Sequence, residues 1–440
     1  MKRLLFSFLS LVLSAAAFAQ QLRLQDAVSI ALKNSLDIQV AKDNLKINAV
    51  SNNYGYAGGL PVVTATGSDV EQSVDLKQKI TQKINGGATD TTYNIIRNGA
   101  TSNQLTGSAG GSILLYNGMR VTATKKALEA MEKQGQEYVN SQIQNVIASV
   151  MTSYYDIVRQ QGYIKTIKQS IEVSNQKLEI VKAQQSVGLA NNADLFQAQL
   201  ELNNMIQSRE SQQLVIDQAK TNFLALLTLK PDSVITIVDT ILVDKSVVLG
   251  EIMGNLSSNP DIIAADDQVR INRLIEKETM AQRYPTIRAS AGYNYSRNQQ
   301  SAGQTLLNQQ YGPFAGFNFI IPIYNGSIYK RQQKIASINT NISGLQKDIL
   351  VRNYSADAVR TYQAYSSSLL QLETAQKNFE LAQKFIALVL EQFKLRQKTI
   401  VDLTIAQQTF ETAAFSLTNL SYASKSSEIE LKRLVSKLVP

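Results

Sequence analysis

The 440-residue chain contains no histidine and no cysteine. Its commonest general base, its commonest metal ligand and its thiol nucleophile are therefore missing, and with them the usual carriers of acid–base, zinc and thiol chemistry. No nucleophile clusters with a base elsewhere, so an enzyme is not favoured, a secreted hydrolase has no candidate centre, and no catalytic, metal or cofactor residue is assigned. The residues whose type and spacing invite a role sit at helix ends. Gly188, in Val187-Gly188-Leu189-Ala190-Asn191-Asn192, suits a helix C-terminus, and the asparagines suit an N-cap. Asp194 and Asp402 each precede a leucine at the start of a helical run, where a carboxylate caps the first turn and meets the positive end of the helix dipole. The formal charge is +9, or +7 without Lys2 and Arg3. It is spread in mixed pairs such as Lys347-Asp348 and Glu430 with Lys432-Arg433, which reads as a solvated helix face and not as a nucleic-acid stripe.

The elements that hold these positions are long. From about Met119 to Ser186 there is no proline, and Ile143, Val146, Ile147, Val150, Tyr154, Ile157, Val158, Ile164, Ile167, Ile171, Leu178 and Val181 recur at three and four. That spacing predicts one amphipathic helix on the order of 100 Å long, a length that suits a tunnel crossing an envelope compartment. A second helix follows from about Ala193 to Leu229, making a hairpin that turns near Gly188. Helices at about Ser327 to Lys394 and Val401 to Lys437 repeat it. Tyr116-Asn117-Gly118 returns as Tyr324-Asn325-Gly326 and Asp194-Leu195 as Asp402-Leu403, both at an offset of 208, so the chain reads as a duplication. The division is a signal at 1–19, a first repeat at 20–247 (helix, two strands, two long helices, connector) and a second repeat at 248–440.

Between the helices lie four candidate strands at about 62–74, 107–116, 286–296 and 311–324. In the third, Ile287, Ala289, Ala291, Tyr293 and Tyr295 alternate with Arg288, Ser290, Gly292, Asn294 and Ser296, as expected of a strand with lipid on one face and water on the other. The first-half strands are joined by a Gly-, Asn- and Thr-rich stretch that reads as the longer loop of the two halves. Lys2-Arg3, an apolar run to Leu13 and Ala17-Phe18-Ala19 resemble a secretory signal, and after it no apolar run is long enough for a spanning helix. Without cysteine there is no lipidated first residue either. A membrane location must then be a β-barrel. Four strands cannot close one, so copies must share it, two giving eight strands and three giving twelve.

In order and duplication, these features resemble the TolC-like outer-membrane efflux proteins: Leu24-Gln25-Asp26-Ala27 with Asn34, its echo from Leu249 to Pro260, the Tyr-Asn-Gly pair and both helical turns. The resemblance implies a mainly α fold with a small β part. Long antiparallel α-helical hairpins form an α-barrel tunnel, continued by a shared transmembrane β-barrel of four strands per chain. It also implies a homotrimer with twelve strands in outer-membrane lipid and most of the chain in the periplasm. The partners would be a periplasmic adaptor and an inner-membrane pump, for passive export of drugs, metal ions or proteins. Val187, Gly188 and Leu189 look like the family's adaptor-docking tip, with Leu395, Arg396 and Gln397 as their counterpart lacking glycine. The segment from Thr399 to Ala406 resembles the one lining the constricted periplasmic mouth. Asp402 would form an acidic ring there, and Ile405 stands where some members carry a second aspartate. Asp194 is the first-half equivalent. A non-conducting periplasmic or surface helical scaffold is the alternative reading, with soluble fractionation as its mark.

Overall fold

Helix hairpins of matched length dominate the chain. The computed structural model describes residues 20–83 and 90–438, and the signal expected at 1–19 lies outside them. In order come β1 (Gln20–Gln21), α1 (Leu24–Asn34), α2 (Leu36–Ser51), β2 (Val62–Lys83), β3 (Asp90–Tyr116), α3 (Arg120–Ser186) and α4 (Asn192–Leu226). The chain continues through β4 (Ile235–Thr236), α5 (Leu249–Asn255), a 3-10 turn (Leu256–Ser258), α6 (Pro260–Ala281), β5 (Thr286–Gln300), β6 (Leu307–Ile320), α7 (Ile328–Lys394) and α8 (Ile400–Leu434). Both α3 and α7 have 67 residues, and both α4 and α8 have 35. Among the described residues no helix is long and apolar enough to cross a membrane.

The duplication holds down to backbone conformation. Left-handed residues occur in pairs 208 apart: Gly118 with Gly326, Met119 with Ser327, Gly188 with Arg396, and Thr228 with Ser436. Each pair stops or starts a long helix, where one residue at positive φ lets the chain reverse while the last carbonyls stay bonded. Gly118 is the most constrained of them. A Cβ there would lie 2.6 Å from Tyr284 Cβ and 2.9 Å from the Ala281 carbonyl, whereas Gly326 has open space around it. Gly118→Ala should therefore combine left-handed strain with overpacking and cost about 2–4 kcal/mol, and Gly326→Ala only about 1 kcal/mol. Thermal melts of the two variants check this ranking.

The chain divides into two units, each drawing on both halves of the sequence. One gathers residues up to Leu45 with 135–264 and 347 onward, and the other holds 46–134 and 265–346. The first is packed around helix stripes. Val146, Val150, Tyr154 and Ile157 of α3 meet Ala27, Val28 and Ala31 of α1 and Phe223 and Leu224 of α4. Nearer the helix turns, Leu178 and Val181 join Leu202, Ile386, Val389, Leu403 and Phe410. The connector after α4 is pinned here: Ile235 and Ile237 are buried, β4 pairs in parallel with β1, and the Tyr154 hydroxyl donates to Asp239 at 2.6 Å. Burial first, and then that carboxylate, push the Tyr154 phenol upward, so it stays a neutral donor.

The second unit holds one antiparallel sheet, in the order β2-β3-β5-β6. The two hairpins meet through β3 and β5, from Ser102 opposite Gln300 to Tyr116 opposite Ile287. β2, β3 and β5 extend beyond the expected 62–74, 107–116 and 286–296 at their hairpin ends, whereas β6 is shifted against the expected 311–324, starting at Leu307 and ending at Ile320. The extra length of the first half is ladder and not loop, since β2 and β3 stay paired from Val62 opposite Ser112 to Lys83 opposite Asp90. From Leu76 outward polar residues stand on both faces, with Lys77, Lys79 and Thr81 on one and Gln78 between Leu76 and Ile80 on the other, so the apolar alternation that marks a half-buried strand is weak in this stretch. A bulge between Val74 and Leu76, where the Gly99 N–H donates to Asp75 at 2.8 Å, separates it from the rest of the sheet.

Candidate functional site

Register decides what the sheet can do, because directly paired residues share a face. One face carries the rows Val63-Gly111-Ala291-Ala315 and Ala65-Ala109-Tyr293-Pro313, flanked by Ile113-Ala289-Phe317 and by Tyr295-Tyr311. The other carries Val62-Ser112-Ser290-Gly316, Thr66-Ser108-Asn294-Gly312 and Ser68-Thr106-Ser296-Gln310. The apolar face runs from Ile287 to Tyr295, nine residues, close to the length of a tilted transmembrane strand. Aromatic rings stand at both ends, Tyr293, Tyr295 and Tyr311 at one and Tyr116, Phe317 and Phe319 at the other. The row Asp69-Leu105-Arg297-Gln309 ends it. Phe317 and Phe319 are 67% and 64% exposed, so none of the described residues covers them. On the polar face, Phe314 lies over Gly110 and Gly292. A side chain on Gly292 would meet the Ala109 carbonyl at 2.5 Å.

The helical turns are geometric twins. Leu189 N–H donates to the Gln184 carbonyl at 2.8 Å and Gly188 N–H to Gln185 at 2.9 Å, while Gln397 donates to Gln392 at 2.8 Å and Arg396 to Phe393 at 3.1 Å. Both are Schellman closures with one left-handed residue, Gly188 at φ 76° and Arg396 at φ 61°. The missing glycine of the second turn is thus a strained arginine. Arg396→Gly should raise stability by about 1 kcal/mol and Gly188→Ala lower it by a similar amount, read as opposite shifts in the helical melt.

Each turn leads into a capping box. The Asp194 carboxylate accepts from Asn191 N–H, and Asn191 Oδ1 accepts from Asp194 N–H at 2.9 Å. Asp402 Oδ2 accepts from the N–H and hydroxyl of Thr399 at 2.9 and 2.8 Å. Those bonds, with Lys398 at 3.8 Å, hold the Asp402 carboxyl below its usual range, so it stays ionised at neutral pH. Ile405, one turn on, is exposed and lines an open groove of about 1040 Å³ between α7 and α8 with Leu370, Leu381, Phe385 and Thr409.

A group of residues beside this segment carries no mark in the sequence. Lys177 of α3 is fully buried and donates to Glu201 of α4 and, at 2.6 Å, to Thr404 of α8. Thr404 in turn donates to the Ile400 carbonyl at 2.9 Å, and Gln407 links to Ser174 at 3.1 Å. Three helices are therefore tied by one ammonium within two residues of Asp402. Burial lowers the Lys177 pKa, and the Glu201 carboxylate works against that shift.

An apolar belt of strand length, a polar opposite face, open sheet edges and paired helical hairpins define the subunit of a barrel-forming channel. The model of the outer membrane efflux protein family matches residues 27–229 and 254–436, and the chain belongs to that family, in its TolC-like form. The chain is 26% identical over 307 residues to the toxin and drug export protein A of Aggregatibacter actinomycetemcomitans. That match covers 67% of this chain and 65% of the relative, so it spans just under two thirds of the relative's length. The fold is similar to that of the outer membrane protein VceC of Vibrio cholerae, with a TM-score of 0.75 at 16% identity over 94% of this chain and 96% of that one. It is equally similar to the CmeC outer membrane channel of Campylobacter jejuni, with a TM-score of 0.75 at 16% identity over 94% and 85%. At this identity the likenesses speak for the fold.

Proposed function

We propose that the chain is the outer-membrane component of a tripartite export assembly, conducting passively what a periplasmic adaptor and an inner-membrane pump deliver. The observation that carries this reading is the sheet: four strands with one apolar face and two unpaired edges, β2 and β6. Open edges are not tolerated in hydrocarbon, so β6 of one copy pairs with β2 of the next, and three copies close a twelve-stranded barrel. The exposed groove between α7 and α8 is covered by a neighbouring copy in the same ring. Val187, Gly188 and Leu189, with Leu395, Arg396 and Gln397, meet the adaptor at the periplasmic end. The relative named for toxin and drug export supports an export role, and the pump selects the cargo.

At the mouth, three Asp402 carboxylates form the narrow acidic ring, with Ile405 as its apolar neighbour. Their ionised state and helix-start position suit both capping and attraction of cations. Single-channel recordings with a trivalent cation test this: Asp402→Ala should raise the blocking concentration by about tenfold, one unit charge per copy being lost from a shared ring. Unchanged block removes Asp402 from the gate. The scaffold alternative has no use for a lipid-length apolar belt, and recovery of the protein in the soluble fraction supports it instead.

A further inference from the structure

The two turns share a backbone but differ in chemistry. Aligned at the offset of 208, Ser186, Gly188 and Ala190 of the first are replaced by Lys394, Arg396 and Lys398 in the second, while Val187 and Leu189 become Leu395 and Gln397. The first turn therefore offers apolar atoms without charge from Val187 to Asn191, with Val187 and Leu189 66% and 51% exposed. The second offers three cations on alternate positions, all exposed. Lys394 is held by Glu391 at 2.7 Å, and Lys398 stands 3.8 Å from Asp402, but the Arg396 guanidinium has no ion-pair partner among the described residues. That same arginine occupies the left-handed position for which its twin uses glycine, so the turn keeps a cation at a conformational cost.

From this we infer that the α7–α8 turn is a cationic docking prong that receives a carboxylate-bearing tip of the periplasmic partner's helical hairpin, while the α3–α4 turn receives an apolar one. The inference rests on the docking reading above. A planar guanidinium at the apex pairs with a carboxylate in two parallel hydrogen bonds, and the flanking lysines extend the field that steers the partner in. In a ring of copies the two kinds of turn alternate. Each partner hairpin is then aligned by charge on one side and apolar contact on the other, which fixes its orientation as well as its affinity.

The full-length protein in its own cell envelope provides the test. A photoreactive phenylalanine analogue at position 189 reports docking of the first turn, and a zero-length carbodiimide joins Lys394 or Lys398 to any carboxylate in contact. Both products are mapped by mass spectrometry, with links inside the chain to Glu391 and Asp402 counted apart. The expected result is a lysine–carboxylate link to an Asp or Glu at the hairpin tip of the same partner that position 189 labels. Arg396→Glu should lower its yield at least fivefold, and Arg396→Gly should do so too while improving the turn's fold. Converting the mapped carboxylate to lysine in the Arg396→Glu background should give the reversed carbodiimide link, from the new carboxylate at position 396 to the new amine on the partner. If position 189 labels the partner but the lysines do not, or the Arg396 variants leave the yield unchanged, the cationic prong is wrong and docking stands. If neither turn labels a partner hairpin, the docking reading fails, and the prong with it.

Discussion

Ala291→Arg is expected to abolish accumulation of the protein in the outer membrane, and Ser290→Arg, one residue away, to leave it unchanged. Ala291 sits in the middle row of the apolar face, between Gly111 and Ala315, and Ser290 in the adjacent row of the polar face between Ser112 and Gly316. A cation facing lipid at mid-depth costs about 2–4 kcal/mol per copy, and a closed trimer carries it three times. The same cation facing an aqueous lumen costs little. Fractionation and native electrophoresis of both variants read the outcome. Equal loss in both variants, or in neither, means that the belt does not face lipid.

Glu201→Gln should lower the stability of the helical part by about 3 kcal/mol, because it leaves a buried ammonium without its counter-charge. Lys177 is wholly buried and Glu201 is 23% exposed, which places the loss at the lower end of what breaking a buried pair costs. The effect has a pH signature. The folded pKa of Lys177 is depressed below 10.5 by burial, so across the window between the folded and unfolded values the unfolded chain binds the proton more tightly and stability rises with pH. Removing Glu201 deepens the depression and extends that rise to lower pH. Replacing both partners, as in Lys177→Met with Glu201→Leu, should recover most of the loss. Circular-dichroism melts between neutral pH and pH 10 check all three, and a pH-independent loss in Glu201→Gln would assign it to packing instead.

Why some features are legible from residues alone follows from the physics of each element. The long helices declare themselves because the stripe from Ile143 to Val181 repeats over many turns, and β5 because its lipid and water faces differ in polarity at every step. The apolar face of β2 and β3 is harder to read, since Gly67 and Gly107 place backbone where β5 and β6 place Tyr295 and Tyr311. Their outer ladder alternates only weakly, with Gln78 between Leu76 and the buried Ile80 on one face and Lys77, Lys79 and Thr81 on the other. The Lys177 cluster is hidden for the opposite reason: Ser170, Ser174, Lys177 and Val181 are all buried along one stripe of α3, three of them polar. Polar residues there read as a solvated face until α4 and α8 are seen to close over them. Arg396 is legible only by comparison with Gly188, because nothing in its own neighbourhood announces a left-handed residue.

The most direct measurement is the mass of the detergent-extracted protein, by light scattering corrected for bound detergent, followed by bilayer conductance of the same peak. A trimer that conducts is the expected result, since only three copies supply twelve strands. A monomer from the soluble fraction that does not conduct would mean that the apolar belt meets something other than lipid and that the chain is a scaffold.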